Sequence, residues 1–372
     1  MGDAVTIPTP TGLIDGPLLR TVRDTPTEIW NDSCAAAELE WAIARGATGA
    51  TTNPTIVLDV LRAEHATWVP RIRELAAANP TWSETELTWA VIQAMAVRGA
   101  ALLEPVFVAS NRRTGRLSIQ TDPTLYRDTE RMLAQGLRFA ALGPNLQVKF
   151  PSTAAGVAAI EAATARGVRI NATVCFTVPQ ALAVGEAVER GLDAYAAGGG
   201  DPTEMTPVCT LMMGRLDDWM RAIVERDRLA VHPDALDWAG IAAFKQAYRI
   251  YGERGYRTRM LGAAYRHRLH WTELVGGDVV MTIPQPWQAR FDASGITPAA
   301  RIGEPVDPAH IAELLERIPD FRRAYEPDGL SIDEFDGYGA TVRTLRGFIA
   351  SYHDLIAAVR DVMLPNPDER AN

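Results

Sequence analysis

Eight short apolar runs, each followed by a helix-like stretch, constrain this chain more than any other feature. They are TEIWND at 27–32, ATGATTNP at 47–54, GRLSIQTDP at 115–123, LQVKFPS at 146–152, VRINATVCFT at 168–177, MTPVCTLMMG at 205–214, RTRMLGAAY at 257–265 and DVVMTIP at 278–284. Short apolar runs bounded by turn residues read as strands buried on both faces, and strands that alternate with helices form parallel sheets. Eight such units predict an α/β fold, a closed (β/α)8 TIM barrel. An open doubly wound sheet is the rival. It calls for a GxGxxG turn after the first strand, and NDSCAA at 31–36 is not one. Helix ends are signalled by Gly46 as a C-cap and Ser83 as an N-cap. The expectation is one domain over 1–372, with its core at about 27–285 and a helical extension at about 286–366. The extension includes the amphipathic stretch at 337–363, expected to pack on the barrel.

The C-terminal ends of barrel strands form the active face. Read at those ends, the chain offers Asp32, Thr52, Asn53, Gln120, Lys149, Asn171, Thr173, Thr210, Arg215 and Arg266. Polar groups recurring at strand after strand are costly in barrel packing and economical if they converge on one polar ligand. Lys149 is the most informative. Of 37 basic residues only Lys149 and Lys245 are lysine. Among apolar neighbours an ammonium loses hydration, its pKa falls, and the neutral amine can attack a ketone to form a Schiff base. A guanidinium stays protonated and cannot. The protonated imine is then an electron sink that labilises the neighbouring carbon–carbon bond. Asp32 is the best-placed carboxylate to take the hydroxyl proton. Arg215 and Arg266 suit a phosphate.

Each residue also has a plain structural reading. Lys149 could snorkel or pair with a carboxylate. Asp32 could cap the following helix, and Asn53 before Pro54 is ordinary strand-exit chemistry. Arg215 and Arg266 could be surface ion-pair partners. His267 and His270 lie three apart with no nearby cysteine or third histidine, so no metal is expected. Asp217 and Asp218 read as a solvated helix start.

The net charge of −9 and absence of a basic stripe exclude nucleic acid as the expected partner. Any anionic substrate must be met by local arginines against the overall field. Three separated cysteines, Cys34, Cys175 and Cys209, form neither a disulfide framework nor a zinc pattern and fit a reducing cytoplasm. The N-terminus lacks a signal-peptide pattern. It matches the loose MGxxx[ST] pattern at Gly2 and Thr6, which is too common to argue from. No uninterrupted 18-residue apolar run is found, so no membrane partner is expected.

The segments GATTNPTIV (49–57) and LQVKFPSTAAGVAAIE (146–161) closely resemble the two signature stretches of the transaldolase family. INATVCFT, MGR at 213–215 and MLGAAYR at 260–266 resemble its following strand and phosphate-binding segments, so the resemblance runs from about 27 to 363. It implies a cofactor-free (β/α)8 enzyme that moves a dihydroxyacetone unit from a ketose phosphate, such as fructose 6-phosphate or sedoheptulose 7-phosphate, to an aldose phosphate. It implies Lys149 as the Schiff-base residue, Asp32 as acid/base and Thr173 as holder of the catalytic water. Asn53, Asn171 and Thr210 would be donor contacts beside Thr52, and Arg215 and Arg266 the phosphate ligands. Phe150 is a small departure. Gln120 stands where the family usually has a glutamate. Glutamine can hold a water but cannot take its proton. The related fructose 6-phosphate aldolases also have glutamine there and release free dihydroxyacetone, so a lyase is the alternative. A non-catalytic sugar-phosphate-binding barrel is a third reading. Met212 replaces an aromatic residue and Ala264 a small hydroxyl residue. Neither the substrates nor the choice between monomer and homodimer is readable.

Overall fold

The computed structural model describes residues 12–368. The myristoylation-like pattern lies outside them. Eight parallel strands close in sequence order: β1 (Glu28–Asn31), β2 (Gly49–Thr51), β3 (Arg116–Gln120), β4 (Leu146–Pro151), β5 (Ile170–Cys175), β6 (Val208–Leu211), β7 (Arg259–Gly262) and β8 (Val279–Ile283). Closure is made by β1 on β8, with Glu28 beside Val280 and Asn31 beside Ile283. The open-sheet alternative is thereby ruled out. All eight expected strands form, each shorter than its apolar run because turn residues take the run's ends.

The register sets the site. Gln120, Lys149 and Asn171 are neighbours across β3, β4 and β5, and Pro151 pairs with Thr173 one step further up. Because side chains alternate, residues two apart on one strand share a face. The lower interior is filled. Trp30 lies over Gly49, where a Cβ would come within 2.7 Å of the indole. Below, buried Arg116 donates to the carbonyls of Pro144, Arg112 and Glu204 and to Thr206 Oγ1, sealing that end.

Helices surround the sheet. The helix Glu84–Ala109 starts at the expected N-cap Ser83, which forms a capping box with Glu86. By length and composition it could cross a bilayer. A search for an uninterrupted apolar run misses it, because Gln93 and Arg98 break the run. In the fold it is a core helix, burying Leu87, Val91, Met95 and Leu103 against the barrel. The C-terminal helix Gly339–Met363 packs on helices Pro54–Ala63 and Glu84–Ala109 and on Met213–Asp227, and its first turns reach the active face.

Candidate active site

Lys149 is only 4% exposed, so it does not snorkel. Its ammonium makes no ion pair among the described residues; Nζ donates to the Thr52 carbonyl at 3.1 Å. Burial lowers its pKa to about 8, with Asp32 working the other way and Arg215 adding to the fall. Lys245 is the contrast. It pairs with buried Glu273 at 2.9 Å and donates to the carbonyls of Arg301 and Glu304. One lysine is neutralised and saturated with acceptors; the other is held in the barrel with a single carbonyl.

Asp32 leaves β1 at the upper rim. It caps no helix, since the next helix begins after Ala35 without a side-chain cap. Its Oδ1 accepts from Thr51 Oγ1 at 2.6 Å, and Thr51 also meets Thr282 Oγ1 at 2.6 Å. Burial raises the Asp32 pKa, opposed by Lys149, Thr51 and Arg215. A carboxyl with a raised pKa beside an amine with a lowered one is the pairing that proton transfer near neutrality needs.

Strand parity corrects one assignment. Thr51, not Thr52, points into the barrel; Thr52 Oγ1 donates to the Ser118 carbonyl in the wall at 2.9 Å. Thr52 serves Lys149 through its backbone oxygen. Thr51 lies one residue before the strand-end position, and its inward direction follows only from which residues share a face. Asn53 caps the next helix, its Oδ1 accepting from Ile56 N at 3.0 Å. That leaves its amide N–H groups for a ligand.

Asn171 and Thr210 belong to a polar chain across the barrel, in which Thr210 Oγ1 donates to Asn171 Oδ1 at 2.7 Å. Asn171 Nδ2 donates to Ser118 Oγ at 3.0 Å, and Ser118 donates to Gln147 Oε1 at 3.0 Å. Ser118 and Gln147 lie two residues before Gln120 and Lys149, on the same faces, and escaped the sequence reading because only strand ends were considered. Above this layer Thr173 Oγ1 and Gln120 Oε1 are buried without a partner among the described residues. A hydroxyl on β5 and an amide oxygen on β3, one on each side of the Lys149 strand β4, make a place for a small polar molecule. Thr173 is followed by Val174 at φ 54°, a strained position for a β-branched residue, where the β5–β6 register shifts.

Arg215 and Arg266 line one cavity of about 200 Å3 with Asp218, Ala340, Arg343 and Thr344. Arg215 lies in the first turn of helix Met213–Asp227, which has no side-chain cap. Gly214 is required there, because a Cβ would lie 1.9 Å from the Ala264 carbonyl oxygen. Arg266 is gripped by Asp218, Nη2 to Oδ2 at 2.6 Å. Asp217, expected in solvent, is fully buried. It accepts from Gly240 N at 2.7 Å and lies 2.8 Å from His270 Nε2. His270 Nδ1 in turn accepts from Arg266 N at 3.1 Å, so the proton sits on Nε2 and faces the carboxylate. Burial lowers the His270 pKa. Counting only histidines and cysteines overlooked Asp217, which joins His267 and His270 within 4.8 Å. Its register on helix Met213–Asp227 turns it inward, while Asp218 faces the cavity. All three cysteines are buried, and burial pushes the Cys34 thiol up to about 12.

Residues 29–327 match the family described as Transaldolase/Fructose-6-phosphate aldolase. Curated relatives include a protein named Transaldolase from Thiobacillus denitrificans, 30% identical over 84% of this chain and 90% of the relative. Another of that name, from Parafrankia sp., is 27% identical over 87% and 90%. A third, from Thermobifida fusca, is 33% identical over 54% and 56%.

Proposed function

Since the chain belongs to the transaldolase/fructose-6-phosphate aldolase family, we propose that this transaldolase-type enzyme moves a dihydroxyacetone unit from a ketose phosphate to an aldose phosphate through an imine on Lys149. The observation that carries the reading is Lys149 itself: desolvated, unpaired by any carboxylate among the described residues, its pKa lowered to about 8. About a tenth of such amines are neutral at pH 7, roughly 200 times the fraction of an ordinary lysine.

The amine adds to the ketose C2 carbonyl and water leaves, giving a protonated imine. Asp32 takes the C4 hydroxyl proton, the C3–C4 bond breaks, and its electron pair flows into the imine to give an enamine. The aldose phosphate departs. The enamine carbon then attacks the acceptor aldehyde, Asp32 returns the proton, and water releases the product ketose. Thr173 and Gln120 hold that water, and Thr51 orients Asp32. Asn53 contacts the donor through its free amide, Asn171 and Thr210 brace the wall beneath, and Arg215 with Arg266 takes the phosphate. We assign the whole chain, barrel and C-terminal extension, to one functional unit. Its compartment is the cytoplasm, in keeping with three unpaired buried cysteines, and neither nucleic acid nor membrane is a partner.

Gln120 favours a second reading, a lyase that releases free dihydroxyacetone. Incubation with fructose 6-phosphate, with and without erythrose 4-phosphate, separates the two. For a transferase, glyceraldehyde 3-phosphate formation depends on the acceptor, and sedoheptulose 7-phosphate accumulates in equal amount. Dihydroxyacetone released at the full rate without acceptor would make the lyase reading correct.

A further inference from the structure

The cavity beside Arg215 and Arg266 has a third guanidinium, and it comes from outside the barrel. Arg343 lies on the C-terminal helix, one residue before Thr344, whose Oγ1 accepts from Arg215 Nη1 at 3.4 Å. Arg343 Nη1 donates to the Asp218 carbonyl at 3.4 Å, and its guanidinium stands 5.8 Å from the Trp219 ring centroid. Arg215 is further held by Phe348 of the same helix, 5.1 Å from the ring centroid. Helix Gly339–Met363 has no side-chain cap at its start and lines the cavity with its first turns, through Ala340, Arg343 and Thr344. Helix Met213–Asp227, equally uncapped, begins at the same place.

The cavity therefore gathers three guanidiniums and two positive helix ends against one carboxylate, Asp218. The chain as a whole carries −9. Such a concentration of donors matches a phosphate dianion, whose three terminal oxygens carry more acceptor sites than two bidentate arginines fill. Arg343 is exposed, held by one long bond to a carbonyl and the distant Trp219 ring face, and by no ion pair among the described residues. Its guanidinium is free to turn onto an arriving phosphate.

We propose that Arg343 is a third phosphate-recognition residue, so that the C-terminal helix completes the substrate site and sets preference for phosphorylated ketoses. The inference rests on the assignment of this cavity to the donor phosphate. One charge-assisted bond is worth about tenfold in affinity. Arg343→Ala should raise KM for fructose 6-phosphate about tenfold with kcat unchanged, leave kcat/KM for unphosphorylated fructose as in the parent, and weaken inorganic phosphate as a competitor to the same degree. Arg343→Lys should recover part of the loss. Arg346→Ala, one turn on and outside the cavity, removes the same charge and should change nothing. An unchanged KM in Arg343→Ala overturns the proposal. So does an equal rise in Arg346→Ala, which would mean a diffuse field alone. Calorimetric titration with inorganic phosphate needs no turnover. Tenfold weaker binding in Arg343→Ala supports the inference even if the parent turns over no ketose phosphate, a result that would sink the transaldolase reading alone.

Discussion

Replacing Lys149 by methionine is expected to abolish turnover and at the same time make the protein more stable. Methionine keeps the length and apolar stem and removes the amine, so no imine forms. The loss should be at least 1,000-fold in kcat/KM, or about 4 kcal/mol of transition-state stabilisation. Stability should move the other way. A lysine whose folded pKa is about 8 against about 10.4 unfolded destabilises the fold by about 3 kcal/mol wherever both states are protonated. The penalty is full below pH 8 and fades as pH rises from about 8 to about 10.4, because the folded state sheds its proton first. The Thr52 carbonyl left without its donor returns about 1 kcal/mol. Net stabilisation of about 2 kcal/mol at pH 7 corresponds to a rise in Tm of about 3 °C. Calorimetry at pH 7 and pH 10 checks the sign: the gap between parent and variant should narrow at the higher pH. In the parent, single-turnover imine formation should speed up as pH rises through about 8.

Asp217→Ala should be the most destabilising single change behind the phosphate cavity. The carboxylate is fully buried, accepts from Gly240 N and takes the His270 Nε2 proton. Truncation leaves two buried donors unsatisfied, at about 1–3 kcal/mol each, a loss of about 3–5 kcal/mol together. Tm should fall by about 4–6 °C. Asp217→Asn keeps an acceptor for Gly240 and should lose less. His270, kept neutral by burial, binds its proton more weakly folded than unfolded, so parent stability declines as pH falls below about 6.5. An unchanged Tm in Asp217→Ala would show that the dyad bears no weight.

The barrel was legible because strand length, apolar content and intervening helices all point the same way, and one register closes them. Lys149 was legible through its rarity and its apolar neighbours. What escaped depended on parity and on distant packing. TTN at 51–53 offers three polar residues, and only strand direction tells that Thr51 faces Asp32 while Thr52 lies in the wall. Ser118 and Gln147 sit one layer below the strand ends, where sequence alone cannot separate an inward polar residue from an outward one. Asp217 and Asp218 are adjacent in sequence and opposite in fate, because a helix turns successive side chains by about 100°. Arg343 is 77 residues from Arg266 in sequence, and only the docking of the last helix brings them to one cavity.

The central claim is an imine on Lys149. Borohydride reduction during incubation with fructose 6-phosphate, followed by peptide mass spectrometry, tests it with little ambiguity because the chain has only two lysines. A reduced three-carbon adduct on the peptide containing Lys149, absent in Lys149→Met, is the predicted result. Turnover that proceeds with no adduct on Lys149, or an adduct confined to Lys245, would contradict it.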